Sequence, residues 1–210
     1  MTHMIPIGPL LFESGDRLSR EEFLERWERT PALKKAELID GVVYLPSPVS
    51  FGHGFFDTVL QMLLNNYAAK TPGCETIANA TWLMLDSAPQ PDSCLCWVPA
   101  TGKIKTTKDL ATGSPELIVE VAVSSRSYDL GPKLALYQRA EVQEFVAVLV
   151  EEERIEWRIL EGGSYRLMQA DADGIFHSKV FPGLWLDSAA LWRMDRSQLL
   201  AVLEQGLQSR

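Results

Sequence analysis

Hydrophobic and polar positions change period several times along the chain, and each change marks an element. Over 18–31, LSREEFLERWERTP, apolar Phe23, Leu24 and Trp27 recur at helical spacing. Ser19 followed by Glu22 has the form of a capping box, and Pro31 closes the segment, so a short helix is predicted. AELIDGVVYLPSP reads differently. Two β-rich runs flank Asp40-Gly41, a pair that tight hairpin turns favour because both central residues take positive φ. SFGHGFFDTVLQMLLNNYAAK returns to helical spacing, with Phe55, Val59, Met62, Leu63 and Tyr67 on one stripe, and ends before Thr71-Pro72-Gly73.

Further on, the period becomes two or the apolar runs become continuous. ETIANATWLMLD, PDSCLCWVP and ELIVEVAV read as strands, with ATGKIKTTKDLATGS as a polar loop between the last two. YDLGPKLALYQRA is helical again, with Leu130, Leu134 and Tyr137 on one stripe. EFVAVLV, RIEWRIL and SYRLMQ are strands, with EEER at 151–154 a turn in water and Glu161-Gly162-Gly163 turning the last pair. The tail holds a strand-like HSKVF, then PGLWLD, then two short helices, DSAALWRM and DRSQLLAVLEQGLQ. No repeat, low-complexity tract or linker interrupts this order. It predicts one α+β domain, a mixed sheet flanked by helices, over 19–210, preceded by an extension over 1–18.

Composition changes this picture in three places. A chain of 210 residues, 46% hydrophobic and 23% charged, has material for one real core. No apolar run reaches the roughly 18 residues of a membrane span, and the N-terminus lacks the cationic and apolar regions of a signal peptide, so a cytoplasmic protein is expected. Cys74, Cys94 and Cys96 show no CxxC or Cys/His ligand spacing, which argues for buried free thiols over a zinc site. A net charge of −8, from 28 acidic against 20 basic residues, is the wrong sign for a broad nucleic-acid-binding surface. Any reading that involves DNA must place cations locally or use a metal.

One residue breaks the apolar run of SPELIVEVAVSS. Glu120 sits mid-strand, where an ionised carboxylate is costly unless something pairs with it. Residues two apart share a strand face, so Ile118, Glu120 and Ala122 look one way. Asp92, after Pro91, opens another strand on the side shared by Cys94 and Cys96. If the two strands are neighbours, these carboxylates converge, and hard oxygen ligands with room for water suit Mg²⁺ or Mn²⁺. Glu37, beside the hairpin, could complete the cluster. A lysine at position 122 would share the face of Glu120, but alanine stands there; the nearest candidate is Lys133, on the flank of the following helix. Lys103, Lys105 and Lys108 make the loop TGKIKTTKDLATGS the best candidate for phosphate contact. The six tryptophans are scattered and offer no stacking platform for single strands.

AELIDGVVYLPSPV, His53, NATWLMLDSAPQPD, PELIVEVAVSS, YDLGPKLALYQRAEVQEF and FPGLWLD together resemble the Uma2 family, within the PD-(D/E)XK nuclease-like superfamily. The resemblance covers most of residues 20–205 in the family's order. It implies a restriction-endonuclease-like fold. Asp92 resembles the aspartate of the superfamily motif and Glu120 its acidic partner. Ala122 departs from the superfamily pattern, a departure the Uma2 family shares, and Lys133 looks like the relocated lysine. Glu37 resembles the family's early acidic residue, and His53 a histidine common near the start of its second helix, a possible substrate contact.

The implied activity is a Mg²⁺- or Mn²⁺-dependent endonuclease acting on DNA, with Asp92, Glu120 and Glu37 at the metal and Lys133 orienting water or stabilising charge. Two sites related by a two-fold axis would suit a duplex, so a homodimer is expected. The alternatives are a nuclease-fold protein of little turnover that binds nucleic acid or regulates, and a partner-binding scaffold. The competing structural readings of the same residues are a Glu120 paired with an arginine, a solvated Glu37, a surface Lys133 and a packed or capping His53.

Overall fold

Ser19 caps helix α1 (Arg20–Glu28) as its spacing predicts. Its hydroxyl accepts from the Glu22 amide and the Glu22 side chain accepts from the Ser19 amide, satisfying two donors the first turn would leave orphaned. Asp40 and Gly41, at φ 51° and 75°, form the two-residue turn between β1 (Glu37–Ile39) and β2 (Val42–Tyr44). Ser50 accepts from the His53 amide and starts α2 (Phe51–Ala69). The structure, a computed structural model, describes residues 12–33, 35–46, 48–98, 105–107 (backbone only), 110–123 and 125–210.

Along the rest of the chain come β3 (Cys74–Ala78), β4 (Trp82–Leu83), β5 (Ser93–Trp97), β6 (Lys105–Thr107), β7 (Leu110–Thr112) and β8 (Leu117–Ala122). Helix α3 (Arg126–Tyr128) runs through a π-helical turn (Asp129–Lys133) into α4 (Leu134–Arg139). Strands β9 (Glu144–Leu149), β10 (Arg154–Glu161), β11 (Ser164–Leu167), β12 (Ile175–His177) and β13 (Trp185–Asp187) precede α5 (Ser188–Trp192) and α6 (Arg196–Gln208).

The main sheet has six strands in the order β11-β10-β9-β8-β5-β3. β8 and β9 run parallel, joined by the α3–α4 crossover, and the other neighbours are antiparallel. All six residues of β8 and of β9 are buried, as strands covered on both faces require. One face, with Leu95, Val119, Val121, Val146 and Val148, packs on α2, α5 and α6. The other, with Cys94, Cys96, Ile118, Ala122 and Ala147, packs on Leu136 and Tyr137 of α4. A third cluster joins Phe12 and Leu18 to Phe23, Leu38, Val43 and Ala88. Among the described residues, no helix is long and apolar enough to cross a membrane.

Three expectations need correction. Within ATGKIKTTKDLATGS, β6 and β7 pair, and β7 lies parallel to β4 with Trp82 opposite Ala111. The strand forms because Ala111 and Trp82 share a buried cluster, which a reading of local polarity misses. HSKVF is not a strand beyond His177. Ser178, Lys179 and Val180 wrap the Glu144 carboxylate, which accepts from the Ser178 hydroxyl at 2.7 Å and from the amides of Lys179 and Val180 at 2.6 and 3.2 Å. In α2 the fully buried side chains are Val59, Leu60, Leu63, Leu64 and Tyr67, while Phe55 and Met62 are only half-buried. The stripe is rotated because α6 covers the helix as well as the sheet.

Candidate active site

Strand register brings the two central carboxylates together. Ser93 pairs with Val119 and Cys94 with Ile118, so one step further along the antiparallel ladder sets Asp92 opposite Glu120. Asp92 Oδ2 accepts from the Val121 amide, directly after Glu120, at 2.9 Å. The same oxygen lies 3.1 Å from His53 Nε2. His53 reaches it from the first turn of α2, where the Ser50 cap fixes the helix start at the end of β5.

Lys133 arrives from the opposite side. Pro132 has no amide to donate to the helix ladder, and the turn widens so that the Leu134 amide reaches the Asp129 carbonyl five residues back. Asp129, Lys133 and Tyr137, four residues apart in turn, all face the carboxylates. Lys133 Nζ lies 2.8 Å from Glu120 Oε1, 3.1 Å from Glu37 Oε1 and 3.9 Å from Asp129 Oδ1. The Tyr137 hydroxyl donates to Glu120 Oε1 at 2.7 Å. Glu37 is buried, because β1 lies along 88–90: Ala88 N donates to Leu38 O at 2.7 Å and Gln90 N to Glu37 Oε1 at 2.7 Å. The Tyr128 hydroxyl donates to Glu37 Oε2 at 3.3 Å. The partner of Glu120 is therefore a lysine, not an arginine, and neither Glu37 nor Lys133 is solvated.

Charge crowding sets the protonation states. Burial pushes the Glu120 carboxyl well above the usual carboxylate range; Lys133 opposes this, while Asp92, Asp129 and Glu37 reinforce it. Burial also acts to lower Lys133, but Glu120, Glu37, Tyr137 and Asp129 outweigh it, and the ammonium stays charged far above its ordinary pKa. Asp92 moves the other way. Burial raises it, yet the His53 hydrogen bond, the charges of Lys133 and His53 and the Val121 amide together hold it below the ordinary value. The hydrogen bond to Asp92 in turn raises His53, against the effect of burial.

Asp92, Glu120, Glu37, Asp129 and Lys133 line an open cavity of about 470 Å³ together with Lys35, Asn79, His53 and Asp57. Asp92, Glu120, Lys133, Glu37 and His53 are thus brought to one place. Lys103, Lys108 and the side chain of Lys105 lie outside the described residues. Sequence reasoning missed Asp129, Tyr128, Tyr137, Gln90, Lys35 and Asn79. A signal existed for two of them: Asp129, Lys133 and Tyr137 carry the four-residue spacing of one helix face.

The donors are hard oxygens, the right class for Mg²⁺ or Mn²⁺. Among the described residues, however, no three His, Cys, Asp or Glu side chains are grouped to hold a metal ion. Glu37, expected as a third ligand, has both oxygens engaged by Gln90, Lys133 and Tyr128. Asp92 Oδ1 lies 4.0 Å from Lys35 Nζ. The arrangement fits a metal held by two carboxylates, Asp92 and Glu120, with water completing the shell, a common mode for Mg²⁺.

A family model described as "Uma2: Putative restriction endonuclease" matches residues 20–189. The fold is also that of a crystal structure described as "a putative nuclease belonging to DUF820" from Anabaena variabilis ATCC 29413. The two superpose with a TM-score of 0.68 at 12% identity, over 84% of this chain and 98% of that one. The comparison with curated proteins gave no match.

Proposed function

Because the chain belongs to the Uma2 family, described as putative restriction endonuclease, we propose that it hydrolyses phosphodiester bonds in DNA with a Mg²⁺ or Mn²⁺ ion held by Asp92 and Glu120. The observation that carries this is Asp92 hydrogen-bonded to the amide that follows Glu120, with both carboxylates lining an open cavity. Bound there, the metal would polarise a phosphoryl oxygen and lower the pKa of a bound water.

The chain's own groups prepare that centre. His53 and the Val121 amide fix one oxygen of Asp92, Oδ2, while Oδ1 stands 4.0 Å from Lys35. Lys133 and the Tyr137 hydroxyl hold Glu120 in place through one oxygen, Oε1. Glu37 and Asp129 share Lys133 and keep its ammonium aimed at Glu120. Lys133 therefore acts as a positioning residue that offsets repulsion among four carboxylates. Hydrolysis would consume one water, break one P–O ester bond and leave a phosphate monoester and a free hydroxyl. Cutting both strands of a duplex would place two such sites in a homodimer.

The test is a cleavage assay of the full chain on duplex, branched and single-stranded DNA with Mn²⁺, beside the Glu120→Ala variant. Cleavage by the wild type alone supports the reading. Equal cleavage by both proteins identifies a contaminant. DNA binding without cleavage by the wild type would favour a nuclease-fold protein that binds or regulates, a reading already consistent with Lys133 lying among the acids.

A further inference from the structure

The buried lysine is already committed to carboxylates. Lys133 has a side chain only 4% exposed, and its ammonium is engaged by Glu120, Glu37 and Asp129. Two carboxylates, Glu120 and Glu37, lie within hydrogen-bond reach of its N–H groups, and a third, Asp129, stands at 3.9 Å. A phosphodiester entering the cavity would compete with those pairs for the ammonium and would leave buried carboxylates without a partner. The cavity wall holds another cation.

Lys35 precedes β1 on the cavity wall, with a side chain 27% exposed. Its contacts are loose: Asp92 Oδ1 at 4.0 Å and Asn79 Oδ1 at 3.4 Å. Asn79 is held beside it by the backbone. Its amide donates to the Asp92 carbonyl at 3.1 Å, and its φ of 52° is a left-handed conformation that asparagine tolerates. While Oδ1 faces Lys35, the Asn79 side-chain NH₂ keeps its two donors. An ammonium and an amide thus stand on the wall beside Asp92 Oδ1.

We propose that Lys35 and Asn79 form the phosphate subsite of this cavity, donating to the non-bridging oxygens of a phosphodiester. The inference rests on the reading of the cavity as a nuclease site and adds which groups touch the substrate. It also answers the acidity of the chain: one local cation beside Asp92 suffices to seat a single phosphate, without a basic surface.

The experiment measures binding of a short fluorescein-labelled DNA oligonucleotide by anisotropy, in Ca²⁺ to suppress turnover, over a series of salt concentrations. Proteins are the wild-type full chain, Lys35→Met, Lys35→Arg and Asn79→Gly, the last keeping the positive φ while removing the donor. Circular dichroism checks each fold. Lys35→Met is expected to weaken binding about tenfold and to flatten the log–log salt slope by about 0.7 to 0.9, the contribution of one phosphate contact. Lys35→Arg should restore the slope, and Asn79→Gly should weaken binding with the slope kept. A lysine that merely shielded Asp92 would change metal affinity and leave the slope alone. An unchanged slope in Lys35→Met overturns the subsite while the nuclease reading stands. Absence of both oligonucleotide binding and Mn²⁺-dependent cleavage in the wild type overturns both.

Discussion

Lys133 Nζ and Glu120 Oε1 meet at 2.8 Å in a salt bridge whose two side chains are 4% and 2% exposed. The pair connects the crossover helix to the central strand, and the Tyr137 hydroxyl shares the same carboxylate oxygen. Removing one partner of such a pair leaves the other buried beside like charges. Lys133→Met should therefore destabilise the fold by about 3–5 kcal/mol. Adding Glu120→Gln should recover part of that loss, because a neutral amide no longer needs the ammonium. Urea unfolding of the two single variants and the double variant measures the coupling; a loss below about 1 kcal/mol for Lys133→Met would refute it.

Metal binding should depend unequally on the carboxylates. Isothermal titration with Mn²⁺ should show affinity falling at least about tenfold in Asp92→Asn and Glu120→Gln. The same fall is about 1.4 kcal/mol. Glu37→Gln should change affinity less, since Gln90, Lys133 and Tyr128 already engage both of its oxygens. At a metal concentration about 100 times Kd, the wild type should gain about 2.7 kcal/mol of stability, reversed by chelation.

The cysteines should be inert in the native state. Cys74 and Cys96 are buried free thiols, and burial pushes both up to about 12 from an ordinary 9.0. The folded chain keeps these protons at pH values where the unfolded chain has released them. The associated stability is present below pH 9.0 and is lost as pH rises from there through about 12. Ellman's reagent at pH 8 should label these thiols only after denaturant is added; rapid labelling of the native protein would contradict their burial.

The C-terminal helix should not tolerate a methyl group at its closest approach. A Cβ on Gly206 would lie 2.4 Å from the Gly183 carbonyl oxygen and 2.7 Å from the Trp185 ring. Gly183 is itself at φ +81° in the FPGLWLD turn, so the backbone it presents has little room to adjust. Gly206→Ala should cost about 1–3 kcal/mol despite the higher helix propensity of alanine. Thermal or urea unfolding checks it, and a neutral or stabilising outcome would show that α6 can lift from the turn.

Much of the fold was legible because it is written in short-range chemistry. The Ser19/Glu22 capping box, the Asp40-Gly41 turn and the Ser50 start of α2 each involve residues within a few positions of one another. The anomalous Glu120 and the strand faces of Asp92 and Glu120 followed from alternation. β7 did not, because its pairing with β4 depends on a buried tryptophan about thirty residues away in a polar stretch.

The sequence by itself determined most of the helices and strands, the family resemblance and the acidic residues expected at a metal. Tertiary structure alone decided what those acids meet. Tyr128 reaches Glu37 across 91 positions and Lys35 reaches Asn79 across 44. Such contacts are set by sheet order and crossover packing, which periodicity does not encode. The π-helical turn at Pro132 then sets Lys133 inward, where its buried ammonium meets Glu120, Glu37 and Asp129.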